Sequence, residues 1–243
     1  MIFALAARRK CGISPSTYTE GMRMRNDKTL IHVLFVAAFC SCFSSSAHAI
    51  DEPNANYSSL VLSYRSLVFA TPVCVGNECH TGLSGPAAVF SHQIIPNLAF
   101  GLSGSYAESS GNSSALKSSA SSVFLEAIAG MGTFVDVGAT IAALRSTLQV
   151  CLLNPTTCIS ADDTGTDAGV FGMLFLDESK STSVTLSYDS ISYKKSAHQS
   201  IVGASLVTIL DEHHRLALSA NQARDSGGKQ LSAGYGFGYS YLF

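Results

Sequence analysis

Apolar and polar residues alternate along most of this chain, and the alternation has period two. From Leu98 to Tyr106, Leu98, Phe100, Leu102 and Tyr106 fall on one side of an extended backbone. Ala99, Gly101, Ser103 and Ser105 fall on the other. That period belongs to a strand with two unlike faces. Tyr57–Phe69 repeats it, with Leu60, Leu62, Tyr64 and Val68 against Ser59, Ser63 and Arg65. So does the segment from Thr133 to about Gln149, where Val135, Val137 and Ile141 oppose Asp136, Gly138 and Thr140. In Ser183–Tyr193, Val184, Leu186 and Tyr188 oppose Thr185, Ser187 and Asp189. In Arg215–Gln222, Leu216 and Leu218 oppose Arg215, Ser219 and Asn221. Further strands are expected at Ala87–Ile94, Ser119–Ala129, Gly169–Leu176 and His198–Leu210.

The last segment, Gln230–Phe243, brings the count to ten. Its end alternates Tyr235, Phe237, Tyr239, Tyr241 and Phe243 with Gly236, Gly238, Ser240 and Leu242. A soluble sandwich edge is the other reading of such a strand. The aromatic face and final phenylalanine resemble the closing strand of a Gram-negative outer-membrane β-barrel. The resemblance is to the small barrels of the OmpA/OmpX/OmpW type. It implies that Tyr235, Phe237, Tyr239, Tyr241 and Phe243 form a signal read by the barrel-insertion machinery. The expected fold is all-β: a transmembrane antiparallel up-and-down barrel of ten strands. Eight is the alternative if the second or sixth segment is not a span. Long polar connections after the first, third and fifth strands alternate with short ones, as in outer-membrane barrels. Closure is required because an open edge in lipid leaves backbone groups without partners.

The start of the chain carries an export signal. Met22 to Lys28 is basic, Leu30–Phe43 is apolar apart from His32 and Ser41, and Ala47-His48-Ala49 supplies a small-residue cleavage site. Residues 1–49 are therefore expected to be a signal peptide with an over-extended start, the true one lying near Met22 or Met24. The barrel is expected to occupy 50–243. Cys40 or Cys42 would serve a lipoprotein, but Phe39 stands where a small residue is wanted. The expected location is the outer membrane, after Sec export.

Composition changes the picture little. Charged residues are 13% and hydrophobic residues 47% of 243, as expected when apolar residues are spread over many short spans. A net charge of -2 argues against a nucleic-acid partner. Trp is absent, so interface girdles must use Tyr and Phe.

Four of the seven cysteines follow the leader: Cys74, Cys79, Cys151 and Cys158. They form two close pairs in polar, turn-rich stretches of an exported chain, where thiols pair. Of three connectivities, Cys74–Cys79 and Cys151–Cys158 is favoured, since each pair closes a hairpin loop. A zinc site using all four, with His80, is the alternative.

The chemistry of the expected lumen rests on five charges in phase with the small-residue face: Arg65, Glu126, Asp136, Asp189 and Arg215. Deep charges should face inward and pair, and Arg65 with Glu126 is the preferred pair. Histidines 80, 92, 198, 213 and 214 form no recognisable catalytic set with the abundant serines. No enzyme activity, cofactor or metal is expected. The expected partners are outer-membrane lipid, lipopolysaccharide and the barrel-assembly machinery. Two functions follow: a structural or surface-interaction barrel with a plugged lumen, or a narrow porin-like channel. A lipid-modifying enzyme is a third.

Overall fold

The computed structural model describes residues 58–243, apart from 96, 131–132 and 154–155. The expected leader and start sites lie outside the described residues. Ten strands follow in order: β1 (Ser59–Val75), β2 (Glu78–Ile95), β3 (Leu98–Ser110), β4 (Ser114–Gly130), β5 (Val135–Leu153), β6 (Thr156–Phe175), β7 (Thr182–Tyr193), β8 (Gln199–Ile209), β9 (His214–Asp225) and β10 (Gln230–Leu242). Each pairs antiparallel with its sequence neighbours, and β1 pairs with β10 to close the barrel. Ten strands, including the second and sixth, are therefore present.

The strands alternate as their sequences do. Leu62 (52% exposed), Ile141 (61%) and Leu186 (62%) point outward with Leu102, Leu125, Val170, Val202 and Leu218. Large apolar side chains so exposed around a closed barrel make a band that only lipid can cover. Tyr64, Tyr106, Tyr188 and Tyr235 are exposed along one side of that band. Along the other lie Phe90, Tyr241 and Phe243. These are the two aromatic girdles of a membrane span. The second lies at the terminal rim, where β1 begins and β10 ends.

Two stretches depart from the sequence reading. The cysteine-bearing segments, expected to be loops, are strand. β1 and β2 run to Val75 and from Glu78, and β5 and β6 run to Leu153 and from Thr156. Many of their exposed positions are polar (Thr71, Arg145, Ser160, Asp162, Thr164), so the apolar alternation that marks a lipid-facing strand fades there. The ladder continues through Cys74↔Cys79 and Cys151↔Cys158, which are direct cross-strand partners. Both are disulfides, with Cα atoms 3.9 Å and 4.1 Å apart.

The inward face also differs from expectation. The alternation predicts a small, polar face, but much of it is large and apolar. Leu67, Phe69, Val73, Leu83, Leu116, Leu144, Leu148, Ile191, Tyr193 and Ile201 pack into one buried cluster. These side chains come from β1, β2, β4, β5, β7 and β8, so the cluster joins both sides of the barrel. Nearer the terminal rim, aromatic rings lie flat on glycines of the adjacent strand. Phe124 is the cross-strand partner of Gly101, and Phe171 of Gly138. A Cβ at Gly101 would stand 2.1 Å from Phe124 Cζ, and one at Gly138 2.2 Å from Phe171 Cζ. Glycine at these positions lets a ring fill lumen volume that a wider wall would deny it.

Candidate functional site

The five predicted charges all face inward, but at different depths along their strands. Asp136 and Arg215 are buried at the second positions of β5 and β9, close to the terminal rim. Glu126 is buried (4% exposed) four residues before the end of β4. Arg65 is half-buried, opposite Gly236 of β10, and its Nε donates to Ser63 Oγ at 3.2 Å. Its strand is separated from that of Glu126 by β2 and β3. Asp189 is buried near the far end of β7, opposite Gly169 of β6.

Two inward carboxylates were missed, Asp163 and Asp167, both buried on β6. They lie in the stretch read as a loop. The signal was present: Asp163, Gly165, Asp167, Gly169, Phe171, Met173 and Phe175 keep one phase. Asp167 sits one inward position from Gly169, the partner of Asp189, so two aspartates crowd one patch of wall. Asp163 accepts from Thr164 N (2.8 Å), Lys195 N (3.1 Å) and Ser196 Oγ (2.6 Å), which ties the β7–β8 connection to β6.

At the far rim a second set of polar residues converges. Glu78, beside the Cys74–Cys79 bridge, reaches over to the β3–β4 connection. Its carboxylate accepts from Asn112 N (2.6 Å), Ser113 N (3.1 Å), Ser114 N (2.8 Å), Ser113 Oγ (3.1 Å) and Ser114 Oγ (2.7 Å). This side chain lies well beyond the lipid band. The Ser114 hydroxyl, followed by the backbone amides of Asn112 and Ser113, holds its pKa down at about 2 from the ordinary 4.5. Next to it His80 is buried, with Nε2 2.9 Å from Ser114 Oγ and Nδ1 3.0 Å from Ser109 Oγ. The backbone ladder between β2 and β3 stops at Ser84↔Glu108. Beyond it, these side chains bridge the gap.

The other histidines serve the edges. His92 Nδ1 lies 2.5 Å from Ser58 Oγ, and His198 lies 2.9 Å from Ser192 Oγ. His213 and His214 stack on Tyr241 and Tyr239, and His214 Nδ1 also meets the Tyr239 hydroxyl. Tyr235, Phe237, Tyr239 and Tyr241 occupy the outward face of β10. Phe243 stacks on Phe90 (6.0 Å) and Tyr241 (6.3 Å), and its N–H donates to Ser58 O at 3.1 Å across the β1–β10 seam. Among the described residues no group of three or more His, Cys, Asp or Glu could hold a metal ion. The four cysteines of the zinc alternative are bound to one another.

No protein-family model matches the sequence, and no curated protein matches it. Solved structures do. The translocator domain of the autotransporter NalP from Neisseria meningitidis is 13% identical, over 79% of this chain and 90% of that one, with a TM-score of 0.48. Ail, the attachment invasion locus protein of Yersinia pestis, is 9% identical, over 76% and 97%, with a TM-score of 0.39. An outer-membrane channel from Pseudomonas putida is 8% identical, over 76% and 95%, with a TM-score of 0.43. A translocator, an attachment protein and a channel carry different functional names, so the likeness is to the fold alone. In architecture this chain is a closed ten-stranded antiparallel barrel with an exposed apolar band, similar in fold to the barrels of Gram-negative outer membranes.

Proposed function

We propose that this barrel has a closed lumen and acts through its far rim, in a structural or surface-interaction role at the cell surface. One observation carries the reading: the buried apolar cluster of Leu67, Leu116, Leu144, Leu148, Ile191 and Ile201 joins strands from both sides of the lumen. A hydrated ion reaching this layer would have to shed water against alkyl groups that offer it nothing in return. Barrels of this size have interiors that side chains can fill. Asp167 and Asp189, the cross-strand partners of Ile191 and Ile201, border the layer on one wall, and Glu126 lies nearer the terminal rim.

The porin-like reading draws on a different observation. Inward Ser63, Arg65, Ser105 and Ser219 are only half-buried, so one flank of the lumen holds room for water. In the proposed arrangement this is a blind pocket open towards the terminal rim, which faces the periplasm. The outward band and girdles then sit in lipid and lipopolysaccharide, and the aromatic face of β10 meets the assembly machinery during insertion. The role requires no cofactor.

Liposome swelling tests the proposal. Proteoliposomes of the folded barrel should swell in small sugars no faster than protein-free vesicles. Swelling that falls with sugar size would favour the channel instead.

A further inference from the structure

We propose that Ser109 is an activated nucleophile at the far rim, open to acylation by a carboxylic ester. The hydrogens around His80 fix its tautomer. The Ser114 hydroxyl has one proton, and it is donated to Glu78 Oε2 at 2.7 Å. The contact of 2.9 Å between Ser114 Oγ and His80 Nε2 is therefore made by the Nε2 proton. A neutral imidazole so arranged has no proton on Nδ1. Nδ1 is then an acceptor, and the group it faces at 3.0 Å is the hydroxyl of Ser109.

The result is an ordered relay: Ser109 to His80, His80 to Ser114, Ser114 to Glu78. A hydroxyl within hydrogen-bond reach of a base, whose far nitrogen is oriented by a third group, is the general pattern of an activated nucleophile. Burial favours it. His80 is 4% exposed and Ser114 fully buried, so the ring is held in one orientation, while Ser109 is half-buried and stands where the β2–β3 ladder has ended. Glu78 is in turn fixed by three backbone amides, so the relay is anchored to the frame.

The step balances without a co-reactant beyond the ester. Ser109 Oγ forms a bond to the carbonyl carbon, and its proton moves to His80 Nδ1. The bond from that carbon to the alkoxy oxygen breaks, and the alkoxide leaves with the proton from Nδ1. Water repeats the sequence to release the acid. Ser114 and Glu78 are positioning residues, since they act through His80.

A fluorophosphonate probe, followed by peptide mass spectrometry on the folded, heat-modifiable barrel, tests the assignment. Wild type should be labelled on Ser109, and Ser109→Ala should not be labelled. His80→Gln should lower the labelling rate roughly 100-fold or more, the range of a positioned general base. Acylation by p-nitrophenyl butyrate in solution or by a short-chain phospholipid in micelles would tell a soluble ester from a lipid one. An unlabelled wild type, label that persists in Ser109→Ala, or equal rates in His80→Gln would overturn the proposal. Should His80→Gln fail to fold, cysteine alkylation decides. Ser109→Cys should react with iodoacetamide roughly ten times faster than Ser84→Cys, because a neighbouring base raises the thiolate fraction. Equal rates would refute it.

Discussion

The barrel has a tall half and a short half. β1, β2, β4, β5 and β6 run 17 to 20 residues, with the 13-residue β3 the one short strand among them, whereas β7 to β10 run 11 to 13. Within the lipid band the halves follow one rule, apolar out and inward faces packed. Beyond the band they differ in what holds them. The tall hairpins end in cross-strand disulfides, and the β3–β4 tip is pinned by a carboxylate from β2. The short half uses turn chemistry. Asp225 Oδ1 accepts from Gly227 N and Lys229 N, both at 2.9 Å, and Gly228 takes the left-handed backbone (φ 80°) that closes the turn. Its other far connection, between β7 and β8, leans on Asp163 of the tall β6. Strand length beyond lipid is supported by covalent and charged ties, because lipid no longer supports it.

The largest effect should come from the layer that both halves share. Leu148→Asp places an unpaired charge among Leu116, Leu144 and Ile191, and should abolish the heat-modifiable folded form on gels. Leu148→Ala should fold with a loss of about 2–5 kcal/mol in urea titration, the usual range for a buried leucine. A folded, stable Leu148→Asp barrel would mean that the layer is wet.

Next come the glycines under rings. Gly101→Ala and Gly138→Ala should each cost about 1–3 kcal/mol, since the new methyl overlaps Phe124 or Phe171. Gly172→Ala meets nothing within 4 Å and is the control. Similar losses in all three would show that backbone freedom, not ring packing, sets the need for glycine.

Reduction should separate the halves. Without Cys74–Cys79 and Cys151–Cys158, amide exchange should rise at both tall tips and stay unchanged in β7 to β10. The tips should lose about 2 kcal/mol each, the value for loops this short. Exchange that spreads into the band would show that the bridges support the barrel itself.

The smallest effect is electrostatic. The Glu78 carboxyl has a folded pKa of about 2 against an ordinary 4.5. A lowered pKa means that its stabilisation is fully present above pH 4.5 and is lost as pH falls through about 2. Protection of the Asn112, Ser113 and Ser114 amides should therefore hold at pH 5 and vanish near pH 2. Loss already at pH 4 would contradict the pinned loop.

How much of this was legible depended on lipid. Where a strand meets lipid, its outward side chains must be apolar. The period-two pattern of Leu98–Tyr106 or Ser183–Tyr193 therefore named both strand and face. Beyond the lipid that demand lapses, and Thr156 to Ala168 read as a loop although Asp163, Gly165 and Asp167 kept the inward phase. The cysteine pairing was legible from spacing, since partners five and seven residues apart can face each other across a tight hairpin. The apolar layer was not. Leu116 stands in a stretch read as a Ser/Asn/Gly loop, and Leu67 and Leu148 lie near strand ends where alternation weakens. The relay at His80 joins residues from three strands, which no local pattern exposes.

The central claim is that the lumen is closed by apolar side chains. Planar-bilayer recording of the folded protein tests it most directly, with Ile201→Gly beside the wild type. Wild type should show no discrete steps at 1 M KCl, and removing this fully buried side chain should introduce them. Steady conductance steps in the wild type, unchanged in Ile201→Gly, would contradict the account.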